Sequence, residues 1–103
     1  MQNVDLVKAF LRAQNLEQLG RTEDAVVLYE SAIEHRFDAT GPYDRLITLY
    51  SNQARHREVE RVAAAALENV HTHEQKREWY AQMRQAAIDA AGDVPKAAPK
   101  RRA

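Results

Sequence analysis

The residue types that could bind a metal ion are concentrated in one short segment, HTHE, which spans residues 71–74. His71 and His73 stand two positions apart, and Glu74 follows directly. A helical hydrolytic zinc site instead needs two histidines one turn apart and a further ligand. The sequence has no cysteine, and it shows no glycine-rich phosphate loop and no distinctive Ser–His arrangement. We therefore predict a non-catalytic protein with no metal and no cofactor, in which HTHE is a solvated loop.

The composition is that of one ordinary domain. The chain has 103 residues, of which 45% are hydrophobic and 29% charged, as in a folded, water-soluble protein. No apolar run approaches the ~20 residues that a membrane-spanning helix needs. The first residues lack the basic start and long apolar stretch of a secretory signal, which favours a cytoplasmic location. Arginine outnumbers lysine eleven to four, a bias typical of GC-rich bacterial genomes.

Charge is unevenly distributed along the chain. The formal net charge is zero, but the segment GDVPKAAPKRRA has a net charge of +3. We predict a helical domain over residues 1–91 and a disordered, basic, Pro- and Ala-containing tail over residues 92–103. That tail is either a solubilising end or a weak site for the phosphates of nucleic acid. Its basic residues are Lys96, Lys100, Arg101 and Arg102.

Sparse glycine and proline divide the domain into helix-length segments in which apolar residues recur every three or four positions. Gly20 is predicted to end the first helix with a positive φ, and Thr22 to cap the second. Pro42 suits the first position of the third helix. Thr72 and Gln75 have the spacing of a capping box for the fifth. The five predicted helices cover approximately residues 4–19, 22–36, 42–52, 58–69 and 72–91.

Two helix pairs align when the sequence is compared with itself at an offset of 34 residues. The aligned pairs are Ala9 with Tyr43, Ala13 with Ile47, Leu16 with Tyr50, Ala25 with Val59, Tyr29 with Ala63, and Ala32 with Ala66. A helix-turn-helix period of this length, with the segment LGRTEDAVVLYESAIE, resembles the tetratricopeptide repeat (TPR) family. The second unit departs from the family pattern at Ala54, Val59 and Ala63, which replace the turn glycine, an alanine and an aromatic residue.

The resemblance implies an all-α fold: a short right-handed α-solenoid of five antiparallel helices, made of two repeats and a C-terminal capping helix. In this family the first helix of each pair lines a concave groove that binds a peptide or helix of another protein. By resemblance, the peptide-binding groove would be lined by Phe10, Gln14, Glu17, Gln18, Asp44, Arg45, Thr48, Asn52, Glu78, Trp79, Gln82 and Gln85. The resemblance thus predicts an adaptor or scaffold.

Several groove residues have a structural interpretation beside the functional one. Trp79 and Phe10 are either packing residues or anchors for a peptide, and the glutamines are either recognition groups or a solvated face. A clamp for a C-terminal carboxylate, a known use of this family, is not supported. Of the corresponding positions, which hold Phe10, Gln14, Arg45, Gln75 and Trp79, only Arg45 carries the required positive charge.

Self-association and nucleic-acid binding are the remaining alternatives. Two repeats and a cap are fewer than the three repeats usually needed for stability, so an exposed terminal helix could pair with a second copy. Val4, Val7 and Leu11 on the first helix are the predicted self-association residues, and both a monomer and a homodimer remain open. The second candidate function is a nucleic-acid-associated accessory protein that acts through the basic tail. No membrane partner is expected.

Overall fold

The structure is a computed structural model that describes the backbone of residues 3–96 and the side chains of residues 4–92. Within this range it is all-helical, which confirms the predicted all-α class. Helix α5 continues five residues beyond the predicted domain boundary at residue 91, and residues 97–103 lie outside the described range. The helices are α1 (Asn3–Gln18), α2 (Thr22–Glu34), α3 (Thr40–Asn52), α4 (His56–Asn69) and α5 (Arg77–Lys96), with a 3-10 turn at Glu74–Lys76 before α5.

The core forms where each helix packs against the next one along the chain. Small and large side chains alternate in it, as dense packing requires. The alanines allow the helix backbones to approach closely, and the tyrosines fill the wider gaps. All four apolar residues predicted for α3 are buried, namely Tyr43, Leu46, Ile47 and Tyr50. The fully buried alanines are Ala13, Ala25, Ala32, Ala63 and Ala66.

Two helix starts differ from the prediction. Thr22 does not cap α2, because the N-cap is Arg21 and no side chain bonds to the free N–H groups there. The Arg21 guanidinium instead pairs with Asp24, with 2.9 Å between Nε and Oδ2. Helix α3 begins at Thr40, so Pro42 is its third residue rather than its first. Proline is tolerated there because the first-turn N–H groups have no partner within a helix.

The predicted capping box at Thr72 and Gln75 is also wrong. The 3-10 turn has His73 as its N-cap and no side-chain capping bond. The Thr72 hydroxyl instead lies 3.2 Å from Asp38 Oδ1, which also accepts the backbone N–H of His71 at 2.7 Å. A carboxylate in the loop between α2 and α3 therefore fixes the loop that precedes α5. This tertiary contact replaces the local cap.

The turns after α1 and α3 share one geometry, 34 residues apart. Gly20 and Ala54 both have a positive φ, +80° and +56°. Each of these two residues donates its N–H to the carbonyl three residues earlier, at 3.0 Å. The residue that follows donates to the carbonyl five residues before it, at 2.8 Å after α1 and at 2.9 Å after α3. This is the Schellman pattern that ends many helices. Gly20 fits it without strain, as predicted, whereas Ala54 carries a Cβ in a left-handed conformation.

We expect the Ala54→Gly variant to be more stable than the wild type. The left-handed conformation costs an L-residue about 1–2 kcal/mol, and the greater freedom of glycine in the unfolded chain cancels part of that gain. The net rise in the free energy of unfolding should be roughly 0.5–1 kcal/mol. Urea unfolding followed by circular dichroism measures it. The matched control, Gly20→Ala, should be destabilised by about 1 kcal/mol; a loss of stability in both variants would contradict this account of the turn.

Candidate protein-binding groove

Four of the predicted groove residues line one pocket. Gln14, Glu17 and Gln18 extend from α1, and Arg45 reaches them from α3. Residues three and four positions apart share a helix face, which is why the three α1 side chains lie together. The pocket has a volume of about 310 Å³. It therefore spans the first helices of both predicted pairs.

An ion pair forms one wall of this pocket. Arg45 donates from Nε to Glu17 Oε1 at 2.9 Å and from Nη2 to Oε2 at 2.6 Å. The Tyr29 hydroxyl donates to the same Oε1 at 2.6 Å. The bonds from Arg45 hold the pKa of Glu17 below its usual value, against the opposing effect of burial. Burial and the Glu17 carboxylate both raise the pKa of the Tyr29 hydroxyl. At neutral pH the pocket thus contains one balanced pair of charges and two amides.

Asp44 and Trp79 lie in a second cluster, where α5 meets α3. The Tyr80 hydroxyl donates to Asp44 Oδ1 at 2.8 Å, and the Lys76 ammonium lies 3.2 Å from Asp44 Oδ2. The same ammonium is 4.1 Å from the centroid of the Trp79 ring, a favourable cation–π distance. Trp79 is half-buried and tilted against Tyr80. Asp44 therefore joins α3 to α5 through Tyr80 and to the 3-10 turn through Lys76, while Trp79 packs against both of these partners.

Phe10 is half-buried inside the helix packing rather than projecting into the groove. Its ring centroid is 5.9 Å from that of Tyr29. Its ring also lies directly over Gly41 in the first turn of α3, where an added methyl group would overlap it. Phe10 therefore joins α1 to both α2 and α3. The absence of a Cβ at Gly41 is what permits this approach.

The other predicted groove residues do not line the pocket. All of them are exposed to solvent, and one of them, Gln85, donates to Asp89 at 2.9 Å along α5. These residues are Thr48, Asn52, Glu78, Gln82 and Gln85. The structure therefore divides the predicted groove into a pocket, a packed cluster and an exposed face.

Sequence reasoning missed three partners of the groove residues. The hydroxyl of Tyr29 binds Glu17 across 12 positions. Tyr80 binds Asp44 across 36 positions, which no local pattern can indicate. Lys76 did leave a local signal, because it precedes Trp79 by three residues, the spacing that places two side chains on one face of a helix.

The HTHE segment forms structural contacts through its backbone. The N–H groups of His71 and Thr72 both point to Asp38 Oδ1, at 2.7 and 3.3 Å. The bond from His71 is the largest influence that lowers the pKa of Asp38. Within the residues that the structure describes, no three His, Asp or Glu side chains are grouped so as to hold a metal ion.

Comparisons of the chain with models of known protein families, with curated proteins and with solved structures found no match. Among the helices that the structure describes, none has both the length and the apolar character needed to cross a membrane. The function of this chain is therefore inferred from the pocket and the contacts around it.

We expect Gly41→Ala to destabilise the protein although alanine is the better helix former. The added methyl group must displace the Phe10 ring from its contacts with Tyr29, so the free energy of unfolding should fall by about 1–2 kcal/mol. Chemical denaturation measures this change. Gly92→Ala in α5 is the matched control, since nothing surrounds its added methyl group; it should be neutral or slightly stabilising. Equal stabilisation of both variants would show that Phe10 is not held against α3.

We expect Glu17→Gln to remove part of the pH dependence of stability. Because the pKa of Glu17 is lower in the folded state, its stabilising effect is complete above the unfolded value near 4.5 and disappears as the pH falls through the folded value. The variant should be less stable than the wild type by about 1 kcal/mol at pH 7, and the difference should shrink towards zero as the pH falls through the lowered pKa of Glu17.

Urea unfolding of both proteins across this pH range measures the Glu17 effect. Arg45→Gln is an independent check, because Arg45 is the largest cause of the lowered pKa. In this variant the free energy of unfolding should also fall less steeply as the pH is lowered. A difference between wild type and Glu17→Gln that is constant from pH 7 to pH 3 would be incompatible with the ion pair.

Proposed function

We propose that this chain is a TPR-like, non-catalytic adaptor of the cytoplasm that binds a peptide or helix of a partner protein. The observation that carries the proposal is the pocket that Gln14, Glu17, Gln18 and Arg45 form between α1 and α3. A pocket shared by the first helices of successive pairs is where a groove of this repeat type binds its ligand. The proposed architecture is a short right-handed solenoid.

Bonds between alternate helices support the solenoid arrangement. Glu17 of α1 binds Arg45 of α3, and Glu30 of α2 binds Arg61 of α4 at 2.6 Å. Asp44 of α3 accepts the hydroxyl of Tyr80 in α5. Contacts between every second helix are what stacked helix pairs produce, and they support the proposed arrangement.

The chemistry of the pocket favours an uncharged ligand group. Glu17 and Arg45 neutralise each other, so neither a strongly acidic nor a strongly basic side chain gains a net attraction there. Gln14 and Gln18 each present an amide that both donates and accepts hydrogen bonds. Arg45 uses two of its three guanidinium nitrogens on Glu17, and the side chain stays 39% exposed. Amides and a partly free guanidinium suit the carbonyl and N–H groups of a peptide backbone.

Removal of the two pocket amides should weaken partner binding. A nuclease-treated pull-down from host lysate, with the wild-type chain as bait, identifies the partner. The dissociation constant is then measured for Gln14→Ala/Gln18→Ala. A tenfold or greater increase is expected, since two hydrogen bonds contribute about 0.5–1.5 kcal/mol each. The matched control is Gln53→Ala/Gln75→Ala, which removes two exposed amides outside the pocket and should bind like the wild type.

The same experiment distinguishes the adaptor from a nucleic-acid accessory protein. A chain without residues 97–103 should keep the partner if the pocket binds it. Recovery of the partner only when nuclease is omitted, together with its loss from the shortened chain, would overturn the adaptor proposal. Those results would instead assign the function to the basic tail.

A further inference from the structure

A second open groove lies between α1 and α2, and it shares no lining residue with the pocket described above. Its volume is about 390 Å³. We call it the outer groove and define it by Arg12, Leu16, Arg21, Asp24, Val27 and Leu28. It is also separate from the predicted self-association residues, which are exposed on a different side of α1. Those residues are Val4, Val7 and Leu11.

The equivalent positions of the second helix pair, α3 and α4, are buried. At the 34-residue offset, Leu16 corresponds to Tyr50 and Leu28 to Val62. Tyr50 is 4% exposed and Val62 is fully buried, whereas the two leucines of the outer groove are only half-buried. Apolar side chains that the second pair covers are therefore partly open to water in the first pair.

Helix α2 contacts this region of the second pair. Its Glu30 accepts the hydroxyl of Tyr50 and pairs with Arg61 of α4 at 2.6 Å. Near the start of α3, the hydroxyl of Tyr43 donates to the carbonyl of Phe37, just beyond the end of α2. These two contacts show that α2 and α3 run antiparallel. The surface that the first pair leaves open is thus the counterpart of one on which the second pair holds a helix.

The residue changes between the two pairs indicate which helix would fit the outer groove. In the second pair, Glu30 binds a hydroxyl and a guanidinium. At the same positions the outer groove has Leu16 and Val27, and neither side chain can donate a hydrogen bond. A carboxylate placed there would lose its water without gaining a partner. The corresponding residue of a bound helix must therefore be apolar.

A charge in the outer groove indicates an acidic residue one turn further along the bound helix. Arg12 stands where the second pair has the buried Leu46. In the antiparallel register, Leu46 is four residues before Tyr50 on α3, so it is level with the position four residues after Glu30 on α2. Among the residues that the structure describes, Arg12 pairs with no carboxylate. An acidic side chain at that level would face it.

We propose that the outer groove binds an amphipathic helix of a partner protein, antiparallel to α1, in which an acidic residue follows an apolar one by four positions. This inference goes beyond the pocket of the proposed adaptor and does not depend on it. The contact is small, because one helix in this groove buries less than the ~1,200 Å² of a stable specific interface. A dissociation constant on the order of 100 µM is consistent with such an area.

The α2 sequence of the chain itself supplies the probe, a peptide of residues 22–37 with Glu30→Leu. This peptide has a leucine at the apolar position and keeps Glu34 four residues later. Stapling on its outward side holds it helical, which circular dichroism verifies. Fluorescence anisotropy against the full chain should show saturable binding. The stapled peptide that retains Glu30 should bind at least tenfold more weakly. No saturation at millimolar chain concentration, or equal affinity of the two peptides, would overturn the proposal.

Variants of the chain test whether the probe occupies the outer groove. Val27→Glu should weaken binding at least tenfold, because it places a charge against the leucine of the probe. Val4→Glu is the matched control, since Val4 is a 58% exposed valine outside the outer groove; it should bind the probe like the wild type. Circular dichroism verifies that both variants fold. Unchanged binding by Val27→Glu, or an equal loss in Val4→Glu, would contradict this site.

A charge exchange tests the register of the bound helix. Arg12→Glu should weaken binding of the probe about threefold, the range expected for an exposed ion pair. A probe that also carries Glu34→Lys should bind Arg12→Glu as well as the original probe binds the wild type. A loss that this second probe does not restore would show that position 34 does not face Arg12, and it would overturn the antiparallel register.

Discussion

The burial of tyrosine hydroxyls is the constraint on which the rest of this structure depends. All four tyrosines are buried, and a buried hydroxyl needs a hydrogen-bond partner. Tyr43 uses the backbone carbonyl of Phe37, while the other three use carboxylates. Each carboxylate is partly buried in turn and binds a cation, as desolvated charges require. The three sets are Tyr29–Glu17–Arg45, Tyr50–Glu30–Arg61 and Tyr80–Asp44–Lys76. This environment also changes the titration of the phenols. Burial and the hydrogen bond to the Glu30 carboxylate raise the pKa of the Tyr50 hydroxyl to about 12.

These sets determine how much of the predicted groove is free to bind a ligand. Glu17, Asp44 and Trp79 are residue types that often recognise peptides, yet here their strongest contacts are within the chain. Their charges are matched by Arg45 and Lys76, so the groove offers little electrostatic attraction to a charged partner. Gln14 and Gln18 are left as the pocket residues whose amides can bind a ligand. Specificity in this groove would therefore come from amide geometry and shape rather than from charge.

The sequence predicted the features that depend on neighbours in the chain. Helical periodicity indicated all five helices, and Gly20 marked a turn because glycine alone adopts a positive φ without strain. The predicted capping box failed because a distant residue competed with a local bond of only about 1 kcal/mol: Asp38 binds Thr72 in its place. The starts of α2 and α3 were missed by one or two residues for local reasons. The ion pair of Arg45 with Glu17 spans 28 positions. No local pattern carries that information, although the 34-residue offset does place α1 and α3 in equivalent positions.

The first and last helices that the structure describes expose different kinds of side chain to water, and this difference bears on the pocket. Helix α5 faces solvent with polar side chains such as Gln82, Arg84 and Gln85. Helix α1 exposes valine and leucine instead. The exposed side of α1 that carries Val7 and Leu11 continues at helical spacing to Gln14, which also lines the pocket. A ligand in the pocket would therefore lie beside apolar side chains of α1 as well as beside amides, so part of its binding energy would come from apolar burial.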